Sequence, residues 1–127
     1  MLRVSCLVGD DPRPEILLVE DDPDTADCMR DVFALHGFRL RTATNGHEAL
    51  ELLDGFDPPP CCIVLDLQMP VMNGWELMAR LRGRRGVPPV LVVSGAADPP
   101  AGAIGYFPKP PPFDALLRAV RGCCRAR

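Results

Sequence analysis

Apolar and polar residues come in blocks along this chain, and the blocks are of two kinds. Short unbroken apolar runs such as Ile16-Leu17-Leu18-Val19 and Cys61-Cys62-Ile63-Val64-Leu65 have the length and composition of strands buried on both faces of a parallel sheet. Between them, apolar residues recur at helical spacing: Ala26, Met29, Val32 and Phe33, then Ala49, Leu50 and Leu53, then Leu77 and Leu81. The pattern predicts strands at 15–20, 38–43, 61–66, 89–94 and 104–108. Helices are predicted at 23–36, from Asn45 to Gly55, from Asn73 past Leu81, and at 113–124. Local signals agree with these limits. Asp22 precedes Pro23 as an N-cap, Gly37 follows the first helix, and Asn45/Glu48 and Asn73/Glu76 have the spacing of capping boxes. Five strands alternating with helices imply an α/β fold, a doubly wound parallel sheet with helices on both faces.

One connection breaks the alternation. After Ser94 the chain runs through eight residues, Gly95-Ala96-Ala97-Asp98-Pro99-Pro100-Ala101-Gly102, just before the last strand. A parallel crossover with its helix needs about 10–12 residues, and two prolines and two glycines oppose a helix interior. The fourth helix is therefore expected to be absent or reduced to a turn. Ile104 and Tyr106, on one face of the last strand, would lose their cover and form an exposed patch suited to a partner. Residues 1–14, with Gly9-Asp10-Asp11-Pro12-Arg13-Pro14 as a join, are expected to be a flexible extension, leaving 15–127 as one domain.

Net charge is −3 and the hydrophobic fraction 47%. The acidic balance argues against a nucleic-acid surface, and the short cluster Arg80-Leu81-Arg82-Gly83-Arg84-Arg85 reads as a solvated helix end. No apolar run approaches the roughly 18 residues of a membrane span, so a cytoplasmic protein is expected. Six cysteines occur without a C-x-x-C pair or a suitably placed histidine, which leaves buried small hydrophobes as the favoured role. Cys61 and Cys62 should point to opposite faces, and Cys123-Cys124 look exposed near the tail.

Three strand ends carry charge. The first run stops at Glu20-Asp21-Asp22, the third strand at Asp66 and the last at Lys109, the single lysine among 14 basic residues. Ligands of open parallel sheets sit at the carboxyl ends of the strands. Carboxylates converging there need a hard cation such as Mg²⁺, and a lysine opposite them suits a phosphoryl group.

With Asp66-Leu67-Gln68-Met69-Pro70-Val71-Met72-Asn73-Gly74 and Lys109-Pro110 in view, the chain from 15 to about 122 resembles the receiver domain of bacterial two-component response regulators. That resemblance implies a flavodoxin-like receiver fold and a stand-alone receiver in a phosphorelay, accepting a phosphoryl group from a partner phosphohistidine. By position, it implies Asp66 as phosphoacceptor and Glu20, Asp21, Asp66 and the Gln68 backbone carbonyl as Mg²⁺ ligands. Lys109 takes the place of the phosphoryl-binding lysine, Ser94 that of the switching hydroxyl and Tyr106 that of the switching aromatic. A cis Lys109-Pro110 bond is also implied. Such a domain is not an enzyme in the ordinary sense, catalysing only its own phosphorylation and dephosphorylation. The implied partners are a sensor histidine kinase or a histidine phosphotransfer protein, a downstream protein and a second copy of the chain, with no direct nucleic acid and no membrane. The competing readings are a receiver-like binding module that works without phosphorylation and a phosphatase using Asp66. The second is disfavoured because Gln68 stands where such enzymes carry a second acid.

Overall fold

Five parallel strands in the order β2-β1-β3-β4-β5 form the centre of the protein. The computed structural model describes residues 12–69, 71–95 and 100–125. The elements are β1 (Glu15–Val19), α1 (Pro23–Leu35), β2 (Arg39–Ala43), α2 (Gly46–Gly55), β3 (Ile63–Leu65), α3 (Gly74–Leu81), β4 (Val90–Val93), β5 (Gly105–Phe107) and α4 (Phe113–Arg125). β1 pairs with β2 from Glu15↔Arg39 to Val19↔Ala43 and with β3 from Leu17↔Ile63 to Val19↔Leu65.

Continuous apolar runs are needed because both faces of the sheet are covered. Successive side chains of a strand point to opposite faces. Ile16, Leu18, Val64, Leu91 and Val93 face one side and pack with Ala26, Met29 and Phe33 of α1 and Leu116, Leu117 and Val120 of α4. Leu17, Val19, Ile63, Leu65, Val90 and Val92 face the other and pack with Ala49 of α2 and Leu77, Met78 and Leu81 of α3. Most of these side chains are buried, and each fully buried aliphatic contributes roughly 1.5–3 kcal/mol.

Helix ends follow the capping signals. The Asp22 carboxylate accepts from the Thr25 amide at 3.1 Å, and Pro23 opens α1. At α3 the capping box is complete: the Glu76 amide donates to the Asn73 side chain at 2.9 Å, and the Asn73 amide donates to Glu76 at 3.3 Å. At α2 the return bond shifts by one residue, with the Thr44 amide donating to Glu48 at 2.7 Å.

Three expectations need correction. β3 is shorter than 61–66, because the Cys61 amide donates to the Glu15 carbonyl at 2.9 Å from a bend before the ladder begins. Cys61 and Cys62 do not divide between the faces; both lie in the α1/α4 layer. Cys123 is buried and Cys124 is half-buried, since α4 turns its apolar face inward along its whole length. In the α1/α4 layer, burial pushes the thiols of Cys62 and Cys123 above the ordinary value.

Among the described residues between β4 and β5 there is no helix; Pro100–Ile104 passes through a turn and a bend. Residues 96–99 of the short crossover, and residues 1–11 of the expected extension, lie outside the described residues. Ile104 is 61% exposed. Tyr106 is half-buried against the α2/α3 layer, and Phe107 packs on the opposite one. None of the described helices is long and apolar enough to cross a membrane.

Candidate functional site

The parallel arrangement brings the carboxyl ends of β1, β3, β4 and β5 to one edge, and each is followed there by a polar residue. Glu20 follows β1 and holds its backbone by donating to the Ala43 carbonyl at 2.9 Å. Asp66 follows β3 and donates to the Val19 carbonyl at 3.0 Å. Ser94 follows β4 and donates its amide to Phe107 at 3.0 Å. Lys109 lies two residues beyond β5. Glu20, Asp66 and Ser94 are the buried polar side chains of the chain's described part, so the sheet's edge is polar where its interior is wholly apolar.

Glu20, Asp21 and Asp66 each offer a carboxylate oxygen within 4.8 Å of the others. Two of the three are buried and Asp21 is exposed, so the group opens to solvent on one side. Lys109 Nζ stands 2.7 Å from Glu20 Oε1 and 3.3 Å from Asp66 Oδ2, one cation between two carboxylates. Burial raises the Glu20 pKa, with the neighbouring Asp66 charge acting in the same direction against the Lys109 contact. For Lys109, burial favours the neutral amine, but the carboxylates of Glu20 and Asp66 outweigh it and hold the ammonium charged. The contact is therefore an ion pair.

Backbone amides orient the acids. The Gln68 amide donates to Asp66 Oδ1 at 3.3 Å and the Asp22 amide to Glu20 Oε2 at 3.2 Å. No sequence pattern announces this role of the Asp22 amide; a cap at Asp22 was all that the residues signalled. Gly74 is placed against the same loop: a Cβ there would stand 2.7 Å from Leu67 Cα and 2.8 Å from the Asp66 carbonyl oxygen. Ser94 is fully buried, and the Tyr106 hydroxyl donates to the Ser94 carbonyl oxygen at 3.3 Å. The Lys109-Pro110 bond is cis, as the resemblance implied, and so is Asp57-Pro58.

Three oxygen donors of hard, anionic character within reach of one centre match the preferences of Mg²⁺. The site residues named from the sequence are thus brought together at one edge, with Tyr106 joined to Ser94 just behind them.

An α/β sheet of this order with acids and a lysine at its carboxyl edge defines a signalling class, and the comparisons agree. The family model for the response regulator receiver domain matches residues 16–121, so the chain belongs to that family. It is 34% identical over 121 residues to the transcriptional regulatory protein PrrA of Mycobacterium tuberculosis, covering 90% of this chain and 51% of PrrA. The receiver domain of the Francisella response regulator 1452 superposes with a TM-score of 0.80 at 27% identity, over 90% of this chain and 99% of that one. The fold is also that of the Thermotoga maritima response regulator TrrA in complex with Mg²⁺-BeF (TM-score 0.78, 24% identity, 87% of this chain and 98% of that one). The chain spans about half, or less, of the length of the curated relatives it matches. It is a receiver domain of the two-component response regulators, a signalling domain.

Proposed function

We propose that the chain accepts a phosphoryl group on Asp66 from a partner phosphohistidine, on a sensor kinase or a histidine phosphotransfer protein, and signals through protein contacts. The observation that carries this is the convergence of Glu20, Asp21 and Asp66 on one centre with Lys109 against two of them. In the transfer, an Asp66 carboxylate oxygen forms a bond to phosphorus while the bond from phosphorus to the histidine nitrogen breaks, and the freed imidazole takes a proton. Glu20, Asp21, Asp66 and the Gln68 carbonyl would hold Mg²⁺, which supplies positive charge to phosphoryl oxygens that Asp66 would otherwise repel. The Gln68 amide keeps the Asp66 carboxylate in one rotation. Lys109 exchanges its contact with the Asp66 carboxylate for one with a phosphoryl oxygen. The Ser94 hydroxyl donates to another, and its movement passes to Tyr106 through the bond at the Ser94 carbonyl.

Intact-mass measurement with an acyl phosphate and Mg²⁺ tests this. One phosphoryl group should be gained by the wild type and none by Asp66→Asn or in EDTA. A gain that survives either change would overturn the assignment. No gain from any donor would favour the phosphorylation-independent binding module.

A further inference from the structure

Arg80, Arg82, Arg84 and Arg85 place four guanidinium groups within six residues of an acidic chain. They flank the end of α3 and the connection to β4, at the edge of the sheet opposite Asp66. A helix C-terminus favours a cation, but that effect is about 0.3–1 kcal/mol and falls off within a turn. It does not account for four like charges crowded together, which repel one another. Among the described residues only Arg84 has an acidic partner, Asp54 at the end of α2. Arg80, Arg82 and Arg85 have none.

Two adjoining cavities open among these arginines. One, of about 370 Å³, has Arg84 and Arg85 beside an apolar wall of Leu53, Leu81, Val87 and Pro88. The other, of about 300 Å³, has Arg82 and Arg84 beside Met78 and Val90, with Gly102 of the short crossover on its rim. Arg84 stands in both walls and pairs with Asp54, which also lines the larger cavity. Both volumes lie at the lower end of the range for small-ligand sites.

We propose that this edge binds a nucleotide, with phosphate held by Arg82, Arg84 and Arg85 and the base against the apolar wall. Guanidinium groups present planar, forked donors that match phosphate oxygens in pairs and also stack on flat rings. An anion there offsets the mutual repulsion of the arginines. The open, solvent-facing arginines beside an apolar wall suit a compact anion with a flat hydrophobic part better than an extended acidic peptide. The phosphoryl site at the other edge plays no part in this binding.

Isothermal titration of the full chain with ATP, GTP and cyclic diguanylate tests the proposal, in EDTA so that no metal bridges phosphate to the acidic site. At least one should bind with Kd below about 1 mM, and Arg82→Ala/Arg85→Ala should weaken it about tenfold or more, while Asp66→Asn leaves it unchanged. The double variant should still gain a phosphoryl group from an acyl phosphate, which shows that it folds. Absence of binding by all three nucleotides would overturn the proposal, as would binding that ignores the arginines. Equal binding of inorganic phosphate or of a glutamate-rich peptide would also overturn it, since the surface would then read charge alone.

Discussion

At the residue scale, Lys109 is the group whose removal should be most informative. It is held by two carboxylates that are themselves almost fully buried, so Lys109→Ala leaves negative charge uncompensated in a place of low solvent access. Breaking a fully buried pair costs about 3–5 kcal/mol. Because the Lys109 side chain is 29% exposed, solvent screening reduces the expected loss to about 1–3 kcal/mol. The variant should melt lower than the wild type in EDTA, and Mg²⁺ should restore more stability to it than to the wild type, because the divalent ion meets no competing ammonium. Equal shifts with Mg²⁺ in both proteins would show that the lysine does not compete for the acids. That the single lysine of the chain stands with the acids at the strand ends was legible in the sequence. Its contact with Glu20 as well as Asp66 was not, because it depends on how the loop after β5 turns back over β1.

The cysteines give a second test at this scale. Burial raises the Cys62 thiol far above its ordinary value of 9.0. Its contribution is complete while both folded and unfolded thiols are neutral. As pH rises past the unfolded value, only the unfolded chain ionises, so stability falls by up to about 1.4 kcal/mol per pH unit for that thiol. Urea midpoints between pH 7 and 10 should therefore decline, and Cys62→Ala should show the shallower decline. Parallel curves would remove the thiol from the account. The sequence placed Cys123 near an exposed tail because distance from the terminus carries no information about which face of α4 it occupies.

At the element scale, helix starts were the most legible feature, because a cap is a contact between residues three apart and needs no tertiary knowledge. Strand lengths were less so. β3 keeps only three ladder residues, since Cys61 is captured by β1 from outside the ladder. Gly74 shows how an element's first residue serves the site. It lets α3 begin in contact with the loop that carries Asp66, where any Cβ would meet backbone atoms. Gly74→Ala should lower stability by about 1–3 kcal/mol and slow phosphorylation, because the displaced atoms include the Asp66 carbonyl. Gly55, which ends α2 with nothing within 4 Å of a Cβ, is the control: Gly55→Ala should leave the phosphorylation rate unchanged. Equal behaviour of the two variants in a phosphorylation time course would show that the close approach at Gly74 has no consequence for Asp66.

At the scale of the whole molecule, the order β2-β1-β3-β4-β5 separates two kinds of chemistry to opposite edges of one sheet. The acidic edge was readable in the sequence because parallel strands must all end on the same side, so charges at three strand ends had to meet. The arginine edge was not, because its cavities arise from the relative placement of α2, α3 and the connection into β4. Helical periodicity says nothing about the gaps left between elements.

The two sheet borders are unequal, and this has a consequence for motion. β2 is tied to β1 through five residue pairs, whereas β5 is tied to β4 through three, from Leu91↔Gly105 to Val93↔Phe107. Gly105, at its start, has no side chain to anchor it. Local opening draws on the least supported parts of a fold, so amide hydrogens of β5 should exchange with deuterium ahead of those of β1 and β3 in native-state measurements. The strand that carries Tyr106 and leads to Lys109 is thus the one best able to detach and reseat while the remaining four stay closed. A small change in charge at the acidic edge can then be answered by a border strand alone, without disturbing the layers that keep the domain folded.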